Sequence, residues 1–172
     1  DLPTSQSVRM AQADRLAPGT VFELSPQRND MATAMAKQLS AQGGAALLID
    51  YGFVQPKTGA TFQALIRHQP VDPLDQPGQA DLTALVDFTA LGNGFRSQGL
   101  HVKGPVSQMD FLLDLGLLQR AAHLGAKRDQ RDRETLQLAV NRLVSPDEMG
   151  VLFKVLAAAS FDVSLPVFQN PA

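Results

Sequence analysis

Apolar and polar positions along the chain fall into stretches of strand spacing and of helix spacing, separated by clear breaks. TVFEL (20–24) predicts a short strand, and Ser25-Pro26 after it is a helix start, a capping side chain followed by proline at the first helical position. Met31, Met35 and Leu39, with Ala34 and Gln38 beside them, recur at helical spacing, and Gly43-Gly44 supplies the left-handed residue that ends such a helix. AALLID (45–50) is apolar on both faces, the pattern of a central parallel strand covered by helices. Strand, helix and strand from 20 to 50 together predict one α/β crossover unit.

TFQALIR (61–67) predicts a second strand, antiparallel or near an edge, and HQPVDPLDQPGQA (68–80), with three prolines and a glycine, an irregular surface loop. LTALVDF reads as a strand, with a helix from Phe88 to Gln98 ended by Gly99, and LHVKG as a short strand. Ser107 caps a helix carrying Phe111, Leu112 and Leu115, with Gly116 a break before a second short helix. AKRDQRDRE (126–134) is the exposed start of a helix whose apolar face is Leu136, Val140 and Leu143. Ser145-Pro146-Asp147-Glu148 starts another, with Met149, Leu152, Phe153, Leu156 and Ala157 as its buried side.

The 172 residues suit one domain, and 44 % apolar with 19 % charged residues is ordinary for a globular chain. Fifteen basic against seventeen acidic residues leave a net charge of -2 and no basic stretch, which disfavours nucleic acid as a partner. The absence of cysteine excludes disulfides, thiolate metal sites and cysteine nucleophiles, and leaves a cytosolic location as the default. No apolar run approaches the roughly 18 to 20 residues that span a bilayer.

Asp50-Tyr51-Gly52 closes the apolar run at the carboxyl end of its strand, where open α/β sheets bind ligands. An acid there either holds a ligand or caps a turn. Asp81, Thr83 and Asp87 alternate, so on a single strand they share one face, which suits a site or structural hydrogen bonding alike. Arg67, His68, Asp72, Asp75 and Asp81 cluster in sequence, but in a proline-rich loop they have no fixed mutual direction. A metal site is therefore disfavoured, and Asp72 and Asp75 read as turn residues. Gly92-Asn93-Gly94 lacks the third glycine and the preceding strand of a nucleotide-binding turn, and no GxSxG, HExxH or Walker pattern occurs.

Four blocks in order, GGAALLIDYG, TFQALIRHQPVDPLDQPGQADLTALVDFTAL, GPVSQMDFLLDLGLLQRAAHL and RLVSPDEMGVLFKVLA, resemble the mitochondrial dysfunction A (MidA) family of S-adenosylmethionine-dependent methyltransferases. The resemblance implies the α/β class, a partial class I (Rossmann-like) methyltransferase sheet with flanking helices and a helical carboxy-terminal region. Residues 1–19 are then a loop or truncated remnant, and 20–172 the carboxy-terminal portion of the methyltransferase domain. The family's glycine-rich cofactor turn and ribose-binding acid have no counterpart before TVFEL, so S-adenosylmethionine is the expected cofactor of a complete enzyme and its binding by this chain is in doubt.

The resemblance further implies arginine methylation of a protein substrate, a respiratory complex I subunit, during assembly of that complex. Asp50, Tyr51 and Asp87 are the catalytic candidates it suggests, and His68, Asp72, Asp81, Thr83 and Gln108 the substrate-binding ones. Cytoplasm, or the mitochondrial matrix in a eukaryote, is the implied location. The competing expectation is a non-catalytic interaction module, with self-association through exposed sheet edges as a further outcome.

Overall fold

The structure is a computed structural model and describes residues 17–55, 57–162, 164 and 166–168. In chain order its elements are α1 (Pro26–Gln42), β1 (Ala45–Phe53), β2 (Gln63–Ile66), β3 (Gln69–Val71), β4 (Asp81–Thr83), β5 (Val86–Asp87), α2 (Phe88–Arg96) and β6 (His101–Ser107). Then follow α3 (Gln108–Asp114), α4 (Leu117–Gly125), α5 (Gln130–Val144), α6 (Met149–Leu152) and β7 (Phe153–Ala159), with a short 3-10 turn at Pro166–Phe168. The expected loop over 1–19 lies largely outside the described residues.

A mixed sheet in the order β5-β1-β7-β6 forms the centre. β1 runs parallel to β5 over two residues, Gly52 opposite Val86 and Phe53 opposite Asp87, and antiparallel to β7 along seven, from Ala45 opposite Ala159 to Tyr51 opposite Phe153. Successive residues of β7 point to opposite faces and feed two cores. On one side Leu156 and Ala158 meet Phe88, Leu91 and Phe95 of α2, and Ala32 and Ala36 of α1. On the other, Val155 and Val106 meet Phe111 of α3, with Val167 and Phe168 beside them. Phe88 and Phe95 are each fully buried, which stabilises the fold by about 1.5–3 kcal/mol per side chain.

The α/β class and most elements agree with the sequence. Gly43 ends α1 at φ +77°, Gly116 separates α3 from α4 at φ +85°, and the Ser107 side chain accepts from the Asp110 amide at the start of α3. AALLID is not the parallel strand covered on both faces that its pattern predicts: β1 runs antiparallel to β7 along most of its length and leaves Leu47 and Ile49 about half exposed. Four further local expectations fail. Residues 20–24 pair with no described strand, so the crossover unit expected over 20–50 is absent. In α1 it is Ala32 and Ala36 that are buried, whereas Met31 is 67 % exposed. These small residues let α1 pack closely against α2.

The third failure is the helix expected through 149–157, which lasts one turn. From Phe153 the chain is β7, at the centre of the sheet, because β1 and β6 offer it hydrogen-bonding edges on both sides. Finally, Gln69–Val71 pair with β2 instead of looping freely. They close a hairpin through Arg67 (φ +50°) and His68 (φ +64°), the doubly left-handed geometry that two-residue turns adopt. β2 is the middle strand of this small antiparallel sheet, in the order β3-β2-β4.

Candidate functional site

Tyr51 is carried to the carboxyl end of β1, and its ring packs edge-on against Phe153, its register partner on β7, with ring centres 5.5 Å apart. A cavity of about 420 Å³ opens beside it, between β1, the small sheet and α6. Its polar lining comes from Tyr51, Lys57, Thr61, Gln63 and Thr83, and its apolar lining includes Leu65, Leu85 and Leu152. Gln63 and Thr83 are register partners on β2 and β4, so the small sheet presents them side by side. Leu65 also lines a second, more polar cavity of about 340 Å³ that holds Arg67, His68 and Asp81.

The structure thus brings Tyr51 and Thr83 into one cavity, and His68 and Asp81 into its neighbour. Asp50 follows a different course: as the residue before Tyr51 on an extended strand it points to the opposite face, and its Oδ1 accepts from the Tyr51 amide at 2.8 Å. Asp87 does not share a strand with Asp81 and Thr83, because the chain leaves β4 at Thr83 and joins a different sheet at Val86. Its carboxylate is 3 % exposed and accepts from the Ala90 amide at 3.0 Å, capping α2. Asp72 accepts from the Leu74 amide at 2.8 Å in an exposed turn. Gln108 is buried, donating to the Leu143 carbonyl at 2.9 Å and tying α3 to α5 away from either cavity.

Residues 2–106 match the family described as "Putative S-adenosyl-L-methionine-dependent methyltransferase". The chain belongs to this family. It is 38 % identical over 124 residues to the protein arginine methyltransferase NDUFAF7 homolog, mitochondrial, of Drosophila melanogaster, covering 72 % of this chain and 28 % of that protein. It is 30 % identical over 168 residues to human protein arginine methyltransferase NDUFAF7, mitochondrial, covering 91 % of this chain and 38 % of the relative. A Burkholderia thailandensis protein solved with S-adenosyl-homocysteine bound superposes with a TM-score of 0.67 at 33 % identity, over 83 % of this chain and 39 % of its own. A second protein from that organism reaches 0.76 at 28 %, over 99 % and 48 %. The chain therefore spans about a third of the length of the curated relatives it matches.

Members of this family are described as S-adenosylmethionine-dependent. No described strand passes through a glycine-rich turn into a helix, and the helix starts at α2 and α3 already have their amides engaged by Asp87 and Ser107. What the described residues supply is the cavity at the end of β1. Sequence reasoning missed Lys57, Gln63 and Leu152 as its lining, and missed Thr61, which is 8 % exposed. Thr61 opens the block TFQALIR, yet its amide and hydroxyl bond to Glu23, 38 residues upstream, which no local pattern announces.

Glu23 sits in the unpaired segment before α1. Burial pushes its carboxyl up, but hydrogen bonds from the Thr61 hydroxyl and from the Thr61 and Phe62 amides outweigh that and hold it below the usual 4.5. Lys154, opposite Asp50 in the sheet, is held below the usual lysine value by burial, and its ammonium donates to the Val151 carbonyl.

Proposed function

We propose that this chain forms the substrate-facing portion of an S-adenosylmethionine-dependent methyltransferase that modifies arginine in a protein, and that its protein substrate belongs to respiratory complex I. One observation carries the reading: in a chain of this family, Tyr51 at the carboxyl end of β1 and Thr83 of the small sheet line a single cavity of about 420 Å³. The mitochondrial arginine methyltransferases among the relatives support the acceptor and the setting. By this reading the enzyme works in the mitochondrial matrix in a eukaryote, or in the cytoplasm of a bacterium.

Within the cavity the Tyr51 phenol and the Thr83 hydroxyl orient the acceptor side chain by hydrogen bonding. The apolar wall at Leu65, Leu85 and Leu152 keeps water from the nitrogen that is to be methylated. Asp81, in the neighbouring cavity that shares Leu65, is the carboxylate that could pair with a guanidinium. The cofactor supplies the methyl group.

The test is transfer of labelled methyl from S-adenosylmethionine to arginine-containing peptides by the whole protein, in wild type, Tyr51→Phe and Asp81→Asn. Both variants should keep the fold and lose most transfer. Wild-type rates in both would sink the assignment.

A docking role, in which the chain binds a partner during complex assembly, is favoured by one feature. Leu47 is 54 % and Ile49 47 % exposed on a face of β1 that no described element covers. Such a face also suits self-association. Wild-type complex assembly by a transfer-dead Tyr51→Phe variant would favour the docking reading.

A further inference from the structure

We propose that Glu23 is a positioning residue for the Tyr51 cavity, holding the cavity wall at Thr61 from outside. Glu23 does not line that cavity. It lines a separate, smaller one of about 270 Å³ that it shares with Arg28, Phe53 and Phe62.

Its reach into the larger cavity is through hydrogen bonds. Oε1 accepts from the Thr61 amide at 2.7 Å and from the Phe62 amide at 3.0 Å, and Oε2 accepts from the Thr61 hydroxyl. Thr61 Oγ1 in turn accepts from the Leu85 amide at 3.0 Å. Glu23 thereby ties the stretch before α1 to the lead into β2 and, through the Thr61 hydroxyl, to the link between β4 and β5. Thr61 and Leu85 both line the cavity of Tyr51, so the position of two of its walls is set by Glu23.

The chemistry requires an ionised acid. Three donors converge on two oxygens, and a carboxylate accepts them all while donating none. Glutamine has the same shape but would turn an N–H₂ group against one of these donors, leaving it unpaired in a site where Thr61 is buried. Aspartate, one methylene shorter, cannot reach both amides. A backbone bond from the Gly59 amide to the Val21 carbonyl, 2.9 Å, adds a second tie between the same segments, so losing the carboxylate should loosen the wall without detaching it.

The consequence for turnover rests on the methyltransferase reading: a loosened wall should raise KM for the acceptor and leave cofactor affinity unchanged. The positioning role itself can be tested without substrate, because Tyr51 is the sole tyrosine and the chain has no tryptophan. Its fluorescence therefore reports on the cavity directly.

Acrylamide quenching of Tyr51 would be measured in this chain for wild type, Glu23→Gln, Thr61→Val and the double variant. Ala36→Gly, in the core on the far side of the sheet, serves as a control that lowers Tm without touching the cavity. Glu23→Gln and Thr61→Val should each raise the quenching constant about twofold, as expected when a half-buried ring becomes exposed, and the double variant should add nothing further. Ala36→Gly should leave it at the wild-type value. Glu23→Gln behaving like Ala36→Gly, with Tm lowered and quenching unchanged, would overturn the proposal, as would full additivity in the double variant. Since no cofactor or acceptor is present, failure here would leave the methyltransferase reading untouched, and an inactive enzyme would leave the positioning role untouched.

Discussion

Replacing Gly52 with alanine tests the pairing of β1 with β5 at the edge of the central sheet, beside the cavity. A Cβ at this position would lie 2.2 Å from the Val86 carbonyl oxygen and 2.8 and 2.9 Å from two ring carbons of Phe88, where ordinary contact begins near 3.4 Å. The obstacle is backbone on one side and a fully buried ring on the other, so no flexible side chain can move aside. Val86 is the register partner of Gly52, and its retreat would break the short parallel pairing of β1 with β5. Overpacking of this kind costs about 1–3 kcal/mol, and each lost sheet hydrogen bond about 1 kcal/mol, giving roughly 3 kcal/mol in all.

For a chain of this size that corresponds to a fall in Tm of roughly 6–12 °C. Urea unfolding followed by far-UV circular dichroism gives the free energy. Gly94→Ala is the matched control: its Cβ would meet only the Ala32 Cβ, at 3.5 Å, within a helix, so it should be neutral or stabilise by about 0.5–1 kcal/mol. A loss below about 1 kcal/mol for Gly52→Ala, or an equal loss for both variants, would refute the reasoning.

At Asp87, asparagine caps a helix as well as aspartate does, so Asp87→Asn should unfold with wild type while Asp87→Ala loses about 1–2 kcal/mol. Lost methyl transfer in a fully stable Asp87→Asn would then reveal chemistry at this carboxylate, whereas retained transfer would confine it to capping. Glu23 predicts a pH dependence. Its carboxyl is held below 4.5 in the folded chain, so its stabilisation is complete above that unfolded value and is lost as pH falls through the lower folded value. The stability gap between wild type and Glu23→Gln should therefore be constant from neutrality to about pH 5 and shrink below it. A gap that instead grows on acidification would contradict the hydrogen-bonding account.

Legibility in the sequence followed how local the determinant was. Helix ends at Gly43, Ser107 and Gly116 were readable because each rests on a few neighbouring residues, a left-handed glycine or a serine capping the amide three residues on. Which face of α1 is buried was not readable. Met31 and Met35 carry the larger side chains at helical spacing, but it is Ala32 and Ala36 that are buried against α2, with Leu39 beside them. The site divided in the same way: Tyr51 was found from its place at a strand end and Thr83 from an alternation whose single strand the structure breaks at Thr83, while Thr61 and Lys57 reach the cavity only through tertiary packing.

By itself, then, the sequence determined the α/β class, the order of most elements and the block pattern that marks the methyltransferase family. These depend on period, caps and composition, which are properties of neighbouring residues. The tertiary structure decided that FKVLAAA is a central strand, that Asp50 and Tyr51 part to opposite faces, and that Asp87 serves a helix. It also decided that Glu23 holds Thr61 across 38 residues. Each of these depends on which hydrogen-bonding edge or packing volume a distant segment brings alongside, and a one-dimensional pattern carries no record of that.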